Sequence, residues 1–265
     1  MSAMTLLKAP PDRMSFWEHL EEFRARLLRV VMAVGVAFGV TYHFRANLWA
    51  WASLPLRKAI EHQAPGALAA QSPFGFTDPA EPFLSGVRLA LWASAFLAAP
   101  VIFHQVWAFI SPGLLPKERR LAVPFVSVTS LCFLGGCAFA YFQAFAFLAD
   151  ILYQEAVKLG LRANIHMGDY LDLFLSTVLL TGILFELPVL FFFLAKLRIV
   201  TAGRMLSYWR HATVIIVIFS SFFTPGDVVA TTVFFSVVLL GLYFTSALVV
   251  WIAQPTARPE WTGPK

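Results

Sequence analysis

The chain has 265 residues, of which 59% are hydrophobic and 13% charged, with 27 Phe and a mean hydropathy of +0.72. Soluble domains average about 45–50% apolar and about 25% charged residues, so this composition excludes a disordered chain, a disulfide scaffold and an ordinary water-soluble enzyme. It predicts a polytopic membrane protein. The net charge of +5 reads as loop Lys and Arg that fix topology, not as a nucleic-acid surface.

A spanning helix needs about 20 mostly apolar residues, and six stretches qualify. Ser15-Phe16-Trp17-Glu18 fits a capping box and opens an amphipathic helix over 15–26. Phe16, Leu20, Phe23 and Leu27 form its apolar stripe, with Glu21, Glu22, Arg24 and Arg26 on the other face. It lies at the membrane interface and runs into the first span, Leu27 to Phe44. Arg45–Pro82 reads as a long outer loop punctuated by Pro55, Pro65, Pro73, Pro79 and Pro82. The second span, Phe83 to Ile110, is interrupted by Pro100. The third, Leu121 to Leu148, carries Cys132 and Cys137 on different helical faces, a core pattern and not a metal site. A shorter outer stretch, Ala149–Tyr170, leads to the fourth span, Leu171 to Ala195. The fifth is weak: Ala212–Phe223 is apolar, approached by Tyr208 and Trp209. The turn Thr224-Pro225-Gly226-Asp227 makes it a hairpin with the sixth, 228–252. A span this short either sits in a locally thinned bilayer or borrows its flanking residues. The fold class expected is all-α, one membrane domain over 1–265.

Positive charge orients the spans. Lys8, Arg13, Arg24, Arg26, Arg29, Lys117, Arg119, Arg120, Lys196, Arg198, Arg204, Arg210, Arg258 and Lys265 fall on one side. Only Arg45, Arg57, Lys58, Lys158 and Arg162 fall on the other, and Arg88 snorkels from the outer end of span two. By the positive-inside rule both termini are cytoplasmic, in agreement with six spans. Ala50-Trp51-Ala52 has the small-x-small form of a cleavage site. The preceding segment carries Glu18, Glu21 and Glu22, unlike a signal peptide's basic opening, so an uncleaved helix is expected.

Carboxylates are the informative minority. Those at 18–22 suit a basic partner better than anionic headgroups, which repel them. Glu118 sits among Lys117, Arg119 and Arg120, in a loop stiffened by Pro112 and Pro116; pairing with a neighbouring Arg explains it equally well. Glu186 lies mid-span just before Pro188, where an ionisable group costs several kcal/mol unless paired, hydrated or protonated. A proton relay needs a second buried partner, and only His104 offers itself. Phosphate loops, nucleophile elbows, zinc-protease helices and His/Cys clusters are missing from the sequence. Non-enzymatic function without a cofactor is expected.

These residues carry a family resemblance. His19-Leu20-Glu21-Glu22-Phe23-Arg24-Ala25-Arg26-Leu27 resembles the opening motif of the TatC family, the multispanning receptor subunits of twin-arginine protein translocases. The likeness continues through Ser72-Pro73, Glu81-Pro82-Phe83, Ala99-Pro100 to Gly113-Leu114, Lys117 to Arg120, Phe185 to Pro188 and Thr224 to Asp227. It implies a curved, glove-like bundle in the cytoplasmic (inner) membrane. The implied function is recognition of twin-arginine signal peptides, and export of folded cargo independently of Sec on the proton-motive force. It implies that Glu22 and Glu118 bind the two guanidinium groups, with Glu21, Arg24 and Phe109 completing the patch. Glu186 would lie on the concave side. Single-span TatB- and TatA-like partners would meet Ser221, Thr224, Asp227 and Thr231, and self-association is implied too. Pro55 matches a structurally important family position, beside Pro100 and Pro188 at the helix interruptions. The rival reading is a proton-coupled small-solute transporter using Glu186; a scaffold for a membrane complex is a third.

Overall fold

Prolines and small residues set the shape of this chain more than its loops do. The computed structural model describes residues 16–66, 72–110, 122–161, 164–223 and 229–254, nearly all of them helical. Helix α1 (Phe16–His43) runs unbroken for 28 residues, so the amphipathic segment and the first apolar run form one rod. At Phe44 the chain bends by 80° into α2 (Arg45–Gln63). The first outer stretch, expected as a loop, is therefore helical over much of its length.

Pro55 lies inside α2. Without an N–H it leaves the carbonyl of Trp51, one turn earlier, with no helical donor. The Tyr141 hydroxyl donates to that carbonyl at 2.9 Å, and the Tyr170 hydroxyl donates to the next one, of Ala52. The proline thus creates an acceptor that other helices use.

A two-residue strand, β1 (Phe74–Gly75), precedes α3 (Glu81–Leu97) and α4 (Ala99–Ile110), which meet at 56° beside Pro100. Helix α5 (Ala122–Phe139) passes through a π turn at Ala140–Ala144 into α6 (Phe145–Lys158). This rod extends well past the expected end at Leu148. Strand β2 (Ile165–His166) pairs in parallel with β1, Phe74 opposite Ile165. Helix α7 (Met167–Leu184) breaks at Phe185–Glu186 before α8 (Leu187–Lys196), whose second residue is Pro188. Short α9 (Ala202–Ser207), α10 (Trp209–Phe223) and α11 (Val229–Ala253) follow.

Helix α1 packs on α3 and α4, α4 on α5, α5 on α7, α2 on α6, and both α8 and α10 on α11. The largest core lies at the end that holds α2, where Ile60, Phe145, Leu148 and Leu171 are fully buried. A smaller cluster of Ala195, Ala202, Met205, Ala247 and Val250 joins α8, α9 and α11. Helices α5 and α7 cross almost backbone to backbone. A Cβ on Gly136 would stand 2.7 Å from Phe185 Cβ, and one on Gly182 would stand 2.7 Å from Cys137 Sγ. Such small-residue crossings are how helices associate where lipid removes the hydrophobic drive.

The outside matches a bilayer. Val36, Leu131, Phe222 and Trp251 are each more than two-thirds exposed, which water would penalise and acyl chains do not. Among the described residues, Pro124–Lys158, Met167–Lys196 and Val229–Ala253 are each long and apolar enough to span. The two bent pairs, Trp17–His43 with Arg45–Gln63 and Glu81–Leu97 with Ala99–Ile110, pass only as pairs, and Trp209–Phe222 is a shorter apolar helix. At about 1.5 Å per residue α10 is about 22 Å long, against a hydrocarbon core of about 30 Å.

Candidate functional site

The end of the bundle where α1 begins and α4 ends gathers the polar groups singled out in the sequence. Along α1 the residues turned toward the chain are Glu22, Arg26, Val30 and Ala37, while Leu20, Phe23 and Leu27 stay about half exposed. The apolar stripe therefore faces outward for much of its area, and of the polar stripe Glu22 and Arg26 turn toward the protein while Glu21 and Arg24 stay exposed. In a membrane this inversion is stable, because lipid accepts the apolar side.

Glu22 and Arg26 are four residues apart and so neighbours on one face. Arg26 Nε donates to Glu22 Oε1 at 3.1 Å, and Arg26 Nη2 donates to the same oxygen. Only 19% of the Arg26 side chain and 20% of the Glu22 side chain are exposed. Glu22 Oε2 is buried and accepts no hydrogen bond, with His19 Nδ1 at 3.9 Å. His19 lies flat on Phe109 of α4, ring centroids 4.3 Å apart and planes at 19°, and Phe23 meets the same ring edge-on at 5.5 Å. Glu21 and Arg24 are exposed alongside. The structure thus brings Glu22, Glu21, Arg24 and Phe109 to one end of the molecule. Glu118 lies outside the described residues.

Glu186 occupies the break between α7 and α8. Its carbonyl accepts from Leu190 N at 2.8 Å and its own N–H donates to Ile183 O at 3.0 Å, so the break is a tightened turn. Its Oε1 is buried without a hydrogen-bond partner, and the Cys132 thiol on α5 lies within its electrostatic reach. His104 is exposed and bonds Gln105, so it is not the partner of Glu186 that a relay requires. Phe185 and Pro188, on either side of Glu186, line an apolar groove of about 710 Å³ shared with Trp107, Phe125, Phe193 and Leu242. Lys196 stands at its edge, donating to the Ala253 carbonyl at 3.3 Å.

Of the positions implied for partner helices, Ser221 is exposed on α10, whereas Thr231 is fully buried in this chain. Thr224 and Asp227 fall outside the described residues. Arg88, expected to snorkel from the outer end of its span, forms an ion pair with Asp172 near the head of α7, both side chains being exposed. Distance in sequence hid that pair.

At the opposite end, Glu81 ties two connections together. Its Oε1 accepts from Gly168 N at 2.8 Å and its Oε2 from Thr77 N at 3.0 Å. These two backbone donors, Gly168 first, hold the carboxyl below the usual carboxylate range. Glu81 stands before the apolar run that opens at Phe83. Thr77 Oγ1 also meets His166 Nδ1 at 3.1 Å.

Broken and bent apolar helices, with a half-buried carboxylate and an aromatic cluster at one end, define a multi-pass helical membrane protein with a polar face at that end. Residues 18–236 match the family model described as Sec-independent protein translocase protein (TatC). The chain belongs to the TatC family. It is 34% identical over 249 residues to the Sec-independent protein translocase protein TatC of Koribacter versatilis, covering 92% of this chain and 88% of the relative. The Helicobacter pylori strain J99 relative is 33% identical over 240 residues, covering 91% and 90%. The TatCy protein of Bacillus subtilis is 30% identical over 255 residues, covering 96% and 95%. A solved crystal structure titled twin arginine translocase receptor TatC superposes with a TM-score of 0.72 at 26% identity, over 89% of this chain and 99% of that one.

Proposed function

We propose that this chain is the twin-arginine signal-peptide receptor and core subunit of a Sec-independent translocase that moves folded proteins across the cytoplasmic membrane on the proton-motive force. The observation that carries the reading is Glu22: a half-buried carboxylate with one oxygen free of hydrogen bonds, next to the Phe109 ring. A guanidinium is the cation best matched to that pair of features, since it donates in a fork and stacks on aromatic faces. Glu22 and Glu118 each take one of two consecutive arginines. Glu21, Arg24 and Phe109 complete the surface.

In this reading the chain is one domain with six spans and both termini in the cytoplasm, and the end holding Glu22 faces the cytoplasm. Ser221 and the exposed side of α10 contact single-span TatB- and TatA-like partners around the turn 224–227, with Thr231 fixing the hairpin from within. Copies of the chain associate in the complex. The receptor performs no chemistry of its own. The alternative, a proton-coupled transporter using Glu186, is disfavoured because Glu186 forms no ion pair among the described residues.

The test is capture of a fluorescent signal peptide bearing Arg-Arg against the same peptide bearing Lys-Lys. Wild-type protein should hold the Arg-Arg peptide selectively. Glu22→Ala with Glu118→Ala should abolish crosslinking while the protein still inserts. Equal capture of both peptides by the wild type would refute the receptor assignment.

A further inference from the structure

The two features that an incoming arginine needs at this site are both occupied by residues of α1 itself. Arg26 places two nitrogens on Glu22 Oε1. One turn earlier, the His19 ring covers a face of Phe109 at 4.3 Å, nearly parallel to it. Arg26 is a guanidinium on the carboxylate, and His19 is a flat ring on the aromatic platform. Together they reproduce within the receptor the two contacts a cargo arginine makes best.

From this geometry we infer that Arg26 and His19 are resident surrogates for the signal peptide, holding the site in a self-occupied state from which an arginine displaces them. The inference rests on the receptor reading above. Its physical basis is exchange. A half-buried carboxylate left without a cation is costly, so an empty receptor benefits from a counter-charge on Glu22. An incoming guanidinium replaces Arg26 with an equivalent fork, and the exchange is nearly neutral. An incoming ammonium replaces two converging donors with a compact point charge that stacks poorly, and the exchange is unfavourable. Breaking the resident contact lowers affinity for either peptide alike, and discrimination between Arg and Lys comes from the fork and the stacking that only the guanidinium restores. The unpartnered Oε2 is buried, so an incoming donor gains it only as the Arg26 and His19 contacts open.

Arg26 and His19 are positioning residues, and their removal has an unusual sign. Full-length protein in nanodiscs is titrated with the Arg-Arg and Lys-Lys peptides, and Kd is read from fluorescence anisotropy. In R26Q the Arg-Arg peptide should bind about fivefold tighter, the equivalent of about 1 kcal/mol for losing one competing helix ion pair. The Lys-Lys peptide should tighten by a similar factor, so the Arg/Lys discrimination ratio stays near that of the wild type. H19A should tighten the Arg-Arg peptide and leave the Lys-Lys peptide unchanged. R26K, which keeps the charge and loses the fork, should fall between wild type and R26Q and serves if R26Q is not monodisperse. Unchanged or weaker binding in both R26Q and R26K, with wild-type discrimination intact, would overturn the surrogate role and leave the receptor reading standing. A wild type that does not discriminate overturns both.

Discussion

Substituting Gly182 by Ala tests the close crossing of α5 and α7. The new methyl carbon would lie 2.7 Å from Cys137 Sγ and 2.9 Å from Phe133 Cε2, both inside van der Waals contact. Overpacking of this kind costs about 1–3 kcal/mol. Against it stands the helix-propensity gain of Ala over Gly, about 1 kcal/mol. The net expectation is a loss of about 1 kcal/mol, which for a chain of this size lowers Tm by about 2–4 °C. The assay is thermal unfolding of purified protein in detergent, followed by loss of the monodisperse peak. Cys137→Ala removes the sulfur that meets the methyl, so it should recover part of the loss in the double variant beyond what additivity gives. Gly182→Val, with two further methyls at the same crossing, should fail more severely. A rise in Tm for Gly182→Ala, or strictly additive effects with Cys137→Ala, would refute the reasoning, because propensity alone would then govern the position.

The Pro55 arrangement predicts a coupled pair. Tyr141→Phe should cost about 1 kcal/mol by stranding the Trp51 carbonyl, and Pro55→Ala, which restores an N–H one turn later, should make that loss smaller in a double-mutant unfolding cycle. Glu81 predicts an acid-sensitive tie at the opposite end of the bundle. Its pKa is depressed in the folded state, so its stabilisation is present above the ordinary carboxylate pKa and is lost as pH falls through the lower folded value. Protection of the Thr77 and Gly168 amides, relative to their intrinsic exchange at each pH, should fall over that acid window in wild type and be low throughout in Glu81→Ala.

The membrane class, the helix interruptions at Pro100 and Pro188 and the recognition motif were legible because each depends on local chemistry. Apolar run length, a missing N–H and a string of motifs are all visible along one segment. The helix over Arg45–Gln63 was not legible, because Pro55 read as punctuation with the prolines that follow it, and the donors to the carbonyls of Trp51 and Ala52 come from Tyr141 and Tyr170, far along the chain. The Arg88–Asp172 pair and the Glu81 tie failed to show for the same reason. The Glu22–Arg26 pair was written in an i, i+4 spacing. The sequence reading placed both on one polar face and offered its carboxylates to a basic partner, whereas Glu22 and Arg26 pair with each other and turn toward the protein.

The largest core joins α2, α6 and α7 at one end, while among the described residues the end bearing Glu22 holds aromatic edges, the Glu22–Arg26 pair, the smaller cluster of α8, α9 and α11 and an open apolar groove. Local opening costs least where buried contacts are few. Breaking contacts at the Glu22 end would leave the core of α2, α6 and α7 untouched, so the two ends of the bundle differ in how much of the fold a local opening takes with it.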